Sequence, residues 1–228
     1  MRIAIVGFGK MGRAVRDTAL AQGHEVRSEI DIGQLQRESL RGAEVAIEFT
    51  QPDAAADNLI ALAGWKVPVV CGTTGWYGRL AEVRSAVEAS KSALVYAPNF
   101  SLGVQFLLRA AREIGGALAK RTEFDAYVVD VHHRAKKDAP SGTAGALQQV
   151  LRAADSTRDY PITSIRSGEV PGTHELHVEG PGESLIFQHV ARDRTIFAAG
   201  ALTAARWLLE RPRQGVFTLE QVLFGEAG

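Results

Sequence analysis

The sequence has a single cysteine, no surplus of charge of either sign and no long apolar run, and each absence excludes a class of protein. Cys71 stands alone, which rules out an internal disulfide framework and fits a reducing compartment such as the cytoplasm. Lysine plus arginine and aspartate plus glutamate number 26 each, so no overall basic field is present for nucleic acid or membrane. No apolar run approaches a membrane span, and the N-terminus lacks a signal-peptide pattern. We expect a cytoplasmic globular protein in which any cationic site is local.

The N-terminal segment has the pattern of a dinucleotide-binding fold. An apolar strand up to Val6 leads directly into Gly7-Phe8-Gly9-Lys10-Met11-Gly12, and a helical segment then runs to Gly23. The glycines permit a tight turn and let the main chain approach a pyrophosphate, which the helix N-terminus stabilises. A second strand ends at Asp31, where such a fold places the acid that accepts hydrogen bonds from the adenosine ribose. The alternative is a glycine-rich turn with a structural role only.

Strands and helices continue to alternate up to about residue 99. Apolar strands over 44–49, 67–70 and 93–96 are separated by helical segments, which predicts a parallel, doubly wound, Rossmann-like sheet. Ligands of such sheets bind at the carboxyl ends of the strands. We therefore expect one crevice lined by the residues that follow the strands: Gly7, Asp31, Thr50, Gly72 and Ala97. Cys71 lies at this edge without an evident partner base, and we interpret it as a small buried residue rather than a nucleophile.

The segment from Val128 to Ala144 concentrates cations, histidines and a helix start within a few residues. A β-branched strand releases His132-His133-Arg134-Ala135-Lys136-Lys137, and Ser141-Gly142-Thr143 then opens a helical segment. Histidine titrates near neutral pH, and a helix start favours a carboxylate or phosphate. The segment predicts a site for an anionic substrate that undergoes proton transfer. The alternative is a basic surface loop followed by a capped helix.

After a long helical pattern over 102–119 the rhythm changes to that of an α+β segment. Strand-like runs over 162–167, 174–179, 184–191 and 195–198 predict a mixed or antiparallel sheet. A helix is predicted over 200–210 and a terminal turn over 218–223. These observations divide the chain into a dinucleotide-binding domain, residues 1–99 with 195–228, and a substrate-binding and oligomerisation domain, residues 100–194.

The strands of the second domain alternate in a way that leaves one sheet face to be covered by a partner, which suggests a subunit interface. His174, His177 and His189 lie on these strands. No cysteine or clustered carboxylate accompanies them at metal-ligand spacing, so we interpret them as structural or interfacial and expect no metal site.

Several of these motifs together resemble the dihydrodipicolinate reductase family of the lysine and diaminopimelate pathway. The resemblance runs from end to end, and its most specific part is the string from His132 to Thr143. The matching segments are Gly7–Gly12, Cys71–Gly75, Ala97–Ser101, His132–Thr143 and Pro171–Glu175.

The resemblance implies a role for each group of residues. His132 is implied as the proton donor and acceptor and Lys136 as a second proton donor, while the substrate carboxylates would be bound by His133, Gly142 and Thr143. Asp31 would face the adenosine ribose. The remaining cofactor contacts would come from Gly7, Phe8, Gly9, Lys10, Met11, Gly12, Gly72, Thr73, Thr74, Ala97, Pro98, Asn99 and Phe100. The resemblance also implies a homotetramer.

The chain departs from the family pattern in three places. Lys10 stands where the family usually has arginine, which keeps the charge but loses the planar fork that grips a phosphate. Ala135 stands where some members have a third histidine, and the region between Ile32 and Glu44 is short. The last difference affects the adenosine pocket.

The reaction that the resemblance implies is NAD(P)H-dependent reduction of 4-hydroxy-tetrahydrodipicolinate to tetrahydrodipicolinate with loss of water. Asp31 repels a 2′-phosphate, so we expect both cofactors to be used with a preference for NADH. Two alternatives are a non-catalytic sensor of NADH and another dehydrogenase, of the aspartate or homoserine type, that shares only the first domain. A serine hydrolase is disfavoured because no G-x-S-x-G elbow frames Ser141.

Overall fold

A computed structural model describes residues 1–225 of the chain. The chain forms two compact units, one made of Met1–Ser101 and the segment from Arg194 onward, the other of Leu102–Asp193. The last part of the predicted first domain, residues 226–228, lies outside the described residues. Within the described part of the chain, no helix is both long enough and apolar enough to cross a membrane.

The first unit is built on a six-stranded parallel sheet, as the alternation of strands and helices predicts. Its strands are β1 (Arg2–Val6), β2 (Glu25–Ile30), β3 (Val45–Glu48), β4 (Val69–Cys71), β5 (Ala93–Tyr96) and β10 (Gly215–Thr218). Their order across the sheet is β10-β5-β4-β3-β1-β2. The chain runs outward in opposite directions from the β1–β3 pair, and the carboxyl ends of these two strands form the position where doubly wound sheets bind ligands.

Helices cover both faces of this sheet. They are α1 (Lys10–Ala21), α2 (Pro52–Gly64), α3 (Leu80–Ser90), α6 (Thr195–Leu209) and the short α7 (Leu219–Phe224). Helices α1 and α6 pack together on one side, and α2 and α3 pack together on the other. The core between strands and helices is small and aliphatic, with residues such as Ile47, Leu59 and Leu202 fully buried.

Two expectations for the C-terminal segment were wrong. Residues 195–198 are the first turn of α6 rather than a strand, because α6 is buried on nearly all sides and its apolar residues lose the helical period. The segment predicted as a terminal turn contains the end of strand β10 and helix α7. Thr218 caps that helix, and the Gln221 side chain closes the capping box.

The second unit packs two helices against one face of a four-stranded mixed sheet. The helices are α4 (Leu102–Leu118) and α5 (Gly142–Ala154), and the strands are β6 (Asp125–His132), β7 (Ile162–Arg166), β8 (Thr173–Gly180) and β9 (Glu183–Val190). The strand order is β7-β6-β8-β9; β6 pairs parallel with β7, and the other two pairs are antiparallel. Alternate residues of β6 face the helices, from Ala126 through Val128 and Asp130 to His132.

The opposite face of this sheet carries no element of its own unit. Ile165, Ile186 and Val190 lie on it and are about half exposed, at 45%, 59% and 51%. Such an apolar sheet face is typical of a surface that another molecule covers.

Candidate functional site

In the first unit, the glycine-rich turn joins β1 to α1 with very close packing. Gly7 adopts a φ of +93°, and a Cβ there would lie 2.2 Å from the carbonyl oxygen of Phe49. A Cβ on Gly12 would lie 2.2 Å from the carbonyl oxygen of Gly7. Gly9 caps α1 and has no atom within 4 Å of the Cβ position, so this side of the turn is an open cradle of main chain. An open turn at a helix N-terminus fits the pyrophosphate of a dinucleotide.

The loops after β3, β4 and β5 lie side by side at the same edge of the sheet. The N–H of Gly72 donates to the carbonyl of Glu48, and the N–H of Ala97 donates to that of Cys71. Thr50 N–H donates to the Thr73 hydroxyl at 2.7 Å, which ties two of the loops together. The sequence predicts one crevice lined by Gly7, Asp31, Thr50, Gly72 and Ala97, and these contacts bring together the loops that carry Thr50, Gly72 and Ala97.

Not all side chains of these loops are accessible to a ligand. Thr74 and Pro98 are exposed and Asn99 is partly exposed, whereas the ring of Phe100 is 1% exposed and packs in the core. A cofactor could therefore contact Phe100 only through its main chain. Ala97 is 3% exposed and offers a cofactor a very small surface.

The predicted adenosine end of the crevice is open to solvent. Asp31 follows the last residue of β2 and is exposed, and the N–H of Gly7 donates to the neighbouring carbonyl of Ile30. Lys10 is the exposed first residue of α1, and Met11 and Phe8 are partly exposed. The Arg16 guanidinium lies over the Phe8 ring, 5.2 Å from its centroid. This arrangement leaves an acid and a lysine available to a ribose and a phosphate.

A buried carboxylate that sequence reasoning missed lies beneath this edge. Glu48 is fully buried at the end of β3 and accepts hydrogen bonds from the Thr50 hydroxyl and from the Cys71 thiol, the latter at 3.0 Å. Burial raises the pKa of Cys71 well above its usual value, and the negative charge of Glu48 raises it further. A thiol held protonated in this way is a poor nucleophile, which agrees with the structural interpretation of Cys71.

In the second unit, His132 lies in a pocket formed by three strands and the loop before β8. Its ring is 7% exposed and meets the His174 ring edge to face at 5.1 Å between centroids. A Cβ on Gly172 would lie 3.0 Å from its Nε2, so a glycine leaves the room that the imidazole occupies. Its Nδ1 lies 2.8 Å from Oδ1 of the buried Asp130.

Asp130 was missed by sequence reasoning and lies at the centre of this pocket. Its Oδ2 accepts hydrogen bonds from the Ser141 N–H at 2.9 Å, the Arg166 Nη2 at 2.9 Å and the Ser164 hydroxyl at 3.2 Å. The available signal was the strand period, since Asp130 and His132 share the buried face of β6. Its partners on other strands come from β7 and β8, and no local pattern pairs those strands with β6 in this register.

The protonation states follow from these contacts. Burial lowers the pKa of His132 below its usual value, Asp130 opposes this, and Lys136 and Arg166 lower it further. Burial is the largest of these causes. Burial by itself would raise the pKa of Asp130, but the Ser141 N–H and Arg166 outweigh it and hold that pKa at about 2. Burial lowers the pKa of His174 to about 4. Asp130 is therefore charged and His174 neutral near pH 7.

The loop after β6 and the start of α5 carry the other predicted residues. Lys136 is mostly buried, and its Nζ forms an ion pair with Asp138 at 2.7 Å. Ser141 caps α5 by accepting from the Ala144 N–H, so Gly142 and Thr143 form the first turn of that helix. His133 is partly exposed in the loop.

Among the described residues, Asp130, His132 and His174 also form a set with potential metal-ligand atoms within 4.8 Å of one another. His174, which the sequence analysis interprets as structural or interfacial, therefore lies beside the proposed proton donor His132. Asp130 already has Arg166 as a charge partner, so a cation bound there would share the carboxylate with a guanidinium.

Two family models match almost the whole chain. The model described as dihydrodipicolinate reductase, N-terminus, matches residues 1–100, and the one described as dihydrodipicolinate reductase, C-terminus, matches residues 103–223.

Full-length relatives carry a corresponding name. The chain is 33% identical to the 4-hydroxy-tetrahydrodipicolinate reductase of Christiangramia forsetii, with 98% of each chain covered. It is 34% identical to that of Bdellovibrio bacteriovorus, with 99% of this chain and 98% of the relative covered. A solved dihydrodipicolinate reductase with bound dipicolinate, from Paenisporosarcina sp. TG-14, has a similar fold, with a TM-score of 0.80, 22% identity and coverage of 98% and 99%.

Proposed function

The chain belongs to the dihydrodipicolinate reductase family, and from that premise we propose that it reduces 4-hydroxy-tetrahydrodipicolinate with NAD(P)H, releasing water and tetrahydrodipicolinate. It is an oxidoreductase of lysine and diaminopimelate biosynthesis. Both halves of the chain match the family and full-length relatives align end to end, which disfavours a different dehydrogenase that shares the first domain alone.

The first unit would hold the cofactor and the second the dicarboxylate. The main chain of the turn from Gly7 to Gly12 would bind the pyrophosphate, and the Gly72–Thr74 and Ala97–Phe100 loops the nicotinamide half. The bound nicotinamide supplies the hydride. The open cradle at Gly9 supports this assignment, because a Cβ there would occupy the space that a phosphate needs.

The substrate loses water to give a conjugated cyclic imine with two carboxylates. Hydride addition at ring carbon 4 then gives an enamine, and the neighbouring carbon must receive a proton. We assign that proton to His132, with Lys136 as a second donor. His133, Gly142 and Thr143 would bind the carboxylates. The observation that carries the assignment is the placement of His132: a nearly buried imidazole beside the charged Asp130, whose other carboxylate oxygen accepts from the N-cap residue of α5.

The test is NAD(P)H oxidation with freshly formed product of pyruvate and aspartate semialdehyde condensation. We expect His132→Gln and Lys136→Ala each to lower kcat on the order of a hundredfold, as loss of a general acid does. Matched controls are His24→Gln and Lys120→Ala, which change residues distant along the chain from His132 and Lys136. We expect both controls to keep wild-type turnover. Wild-type turnover in His132→Gln or Lys136→Ala would contradict the assigned roles. Binding of NADH by the wild-type chain without turnover would instead favour the alternative of a non-catalytic NADH sensor.

The cofactor preference is proposed from one side chain. Asp31 follows β2 and is exposed, and its negative charge would repel the 2′-phosphate of NADPH, which Lys10 offsets in part. We expect kcat/KM to favour NADH modestly and Asp31→Asn to improve NADPH use. A tenfold or greater preference of the wild-type enzyme for NADPH would contradict the role of Asp31.

We also propose that the protein is a cytoplasmic homotetramer with a small dicarboxylate as its partner and no nucleic acid or membrane. A lone buried thiol suits a reducing compartment. The half-exposed apolar face of the second unit's sheet supports an assembly through that face.

A further inference from the structure

We propose that Asp130 is a positioning residue for the reaction, holding the imidazole of His132 with one carboxylate oxygen and the anion-binding start of α5 with the other. The proposal rests on the proposed function, because it assumes that His132 donates the proton. It assigns a role to a residue that touches neither the substrate nor the cofactor in the reaction described above.

The first oxygen of Asp130 faces two histidines. Oδ1 lies 2.8 Å from His132 Nδ1 and 3.8 Å from His174 Nε2. Among the described residues, neither Oδ1 nor His132 Nδ1 has a partner that meets hydrogen-bond geometry, so the two atoms interact as charge partners across a short distance. A carboxylate in this position favours the protonated imidazole, which is the form that can deliver a proton to the substrate.

The second oxygen of Asp130 organises the loop that follows β6. Oδ2 accepts hydrogen bonds from the N–H of Ser141 and from Nη2 of Arg166. Ser141 is the residue that caps α5. The same Nη2 donates to the carbonyl of Asp138 at 2.6 Å, which fixes the loop shortly before Ser141. One carboxylate therefore links the proposed acid to the turn that would bind the substrate carboxylates.

Charged or titratable groups surround His132 on β6, the loop after β6, β7, β8 and β9. Asp130 precedes it on β6, Lys136 lies in the loop after β6, and Arg166 is its register partner on β7. From β8, neutral His174 meets its ring, and His189 of β9 stacks behind His174 at 5.9 Å between centroids. Among the charges that act on the pKa of His132, Asp130 alone opposes the effects of burial and of the two cations.

The substitution Asp130→Asn removes the charge and keeps the shape. An amide oxygen can still accept the Ser141 N–H, so the α5 start should stay in place. If His132 must be protonated to act, kcat falls as pH rises through its pKa, and loss of the carboxylate lowers that pKa. We expect the falling limb of the kcat profile to move to lower pH by about one unit or more, the usual effect of removing an opposite charge. Above that limb kcat should be about tenfold lower.

Two further variants make the test specific. Asp125→Asn, on the same strand but exposed, is the matched control and should leave the profile unchanged. Arg166→Gln removes a cation that lowers the pKa of His132. The falling limb of the kcat profile of this variant should therefore move in the opposite direction, to higher pH. This opposite shift keeps the proposal testable if Asp130→Asn does not fold.

A histidine-ring NMR titration of the free protein separates this proposal from the proposed function. We expect the His132 resonance to titrate about one unit lower in Asp130→Asn, whether or not the wild type turns over. An inactive wild type would contradict the proposed function alone. If the wild type is active, two results in Asp130→Asn would overturn the positioning role. One is an unshifted falling limb together with an unshifted His132 titration, and the other is an equal loss of kcat at all pH values. NADH affinity should be unchanged in each variant.

Discussion

At the scale of single residues, the second unit buries a cluster of ionisable side chains. Asp130, His132 and His174 are each 7% exposed or less, and their rings and carboxylate are in contact. Burial is costly for the charged form of each histidine, and only His132 has a short contact with the carboxylate to offset it. The neighbouring His174 is therefore kept neutral, with a pKa lowered to about 4.

That lowered pKa makes folding stability depend on pH in a defined window. His174 has a pKa of 6.5 in the unfolded chain and of about 4 in the folded chain. Its protonation therefore costs no stability above pH 6.5, and the free energy of unfolding falls as the pH decreases from 6.5 to about 4. By linkage the loss amounts to up to about 3 kcal/mol. We expect His174→Gln to reduce the fall in unfolding free energy between pH 7 and pH 4, measured by urea denaturation. An identical pH dependence in variant and wild type would show that His174 is not the responsible group.

At the scale of elements, close backbone contacts fix the loops that would hold the nicotinamide. Helix α6 passes so near the loop after β5 that a Cβ on Gly200 would lie 1.7 Å from the carbonyl oxygen of Phe100. The ring of Phe100 meets that of Phe49 at 6.3 Å between centroids, and Phe49 in turn fills the space beside Gly72. Three loops at the sheet edge thus depend on positions that lack a side chain.

We expect Gly200→Ala to destabilise the protein by several kcal/mol, on the order of 3, because main chain must move to admit the methyl group. NADH affinity should fall with it, since the displaced loop is one of the proposed nicotinamide contacts. Gly116→Ala is the matched control, because Gly116 is also helical and has no atom within 4 Å of its Cβ position. That control should be neutral or stabilising by up to about 1 kcal/mol in thermal unfolding. Equal stability of the two variants would contradict the close packing of α6.

At the scale of the whole molecule, the open face of the second sheet is the clearest surface for assembly. Its strands expose Ile186 and Val190 on β9 and Ile165 on β7, and Tyr127 of β6 stacks on His177 of β8 at 4.5 Å on the same face. Aliphatic and aromatic side chains spread over four strands form a surface that gains free energy when covered.

We expect the wild-type protein to have about four times the 24.5 kDa mass of one chain in light scattering, and Ile186→Lys to reduce it. A lysine in the middle of an apolar interface costs free energy because its charge must be desolvated or left without a partner. Leu20→Lys is the control: Leu20 is 54% exposed on α1 and lies in the first unit, so the mass should not change. A monomeric wild type would contradict the assembly, as would an unchanged mass in Ile186→Lys.

The parallel sheet, the glycine turn and the position of the cationic loop are predictable from the sequence, because strand period, glycines and helix starts are local signals. The sequence places Gly7, Asp31, Thr50, Gly72 and Ala97 at one edge because parallel strands share the direction of their carboxyl ends. It misassigned residues 195–198, because a helix buried on nearly all sides shows no helical period.

The surroundings of His132 depend on strand pairing and could not be predicted from the sequence. Asp130 was visible as an acid on a strand, but its pairing with Arg166 from β7 and His174 from β8 depends on the register of three strands. The same holds for Glu48 and Cys71, which meet across neighbouring strands of the first sheet. Strand pairing joins residues far apart in the chain, and burial then sets which of them carry charge. Neither the strand pairing nor the charge states that burial sets can be predicted from a local stretch of sequence.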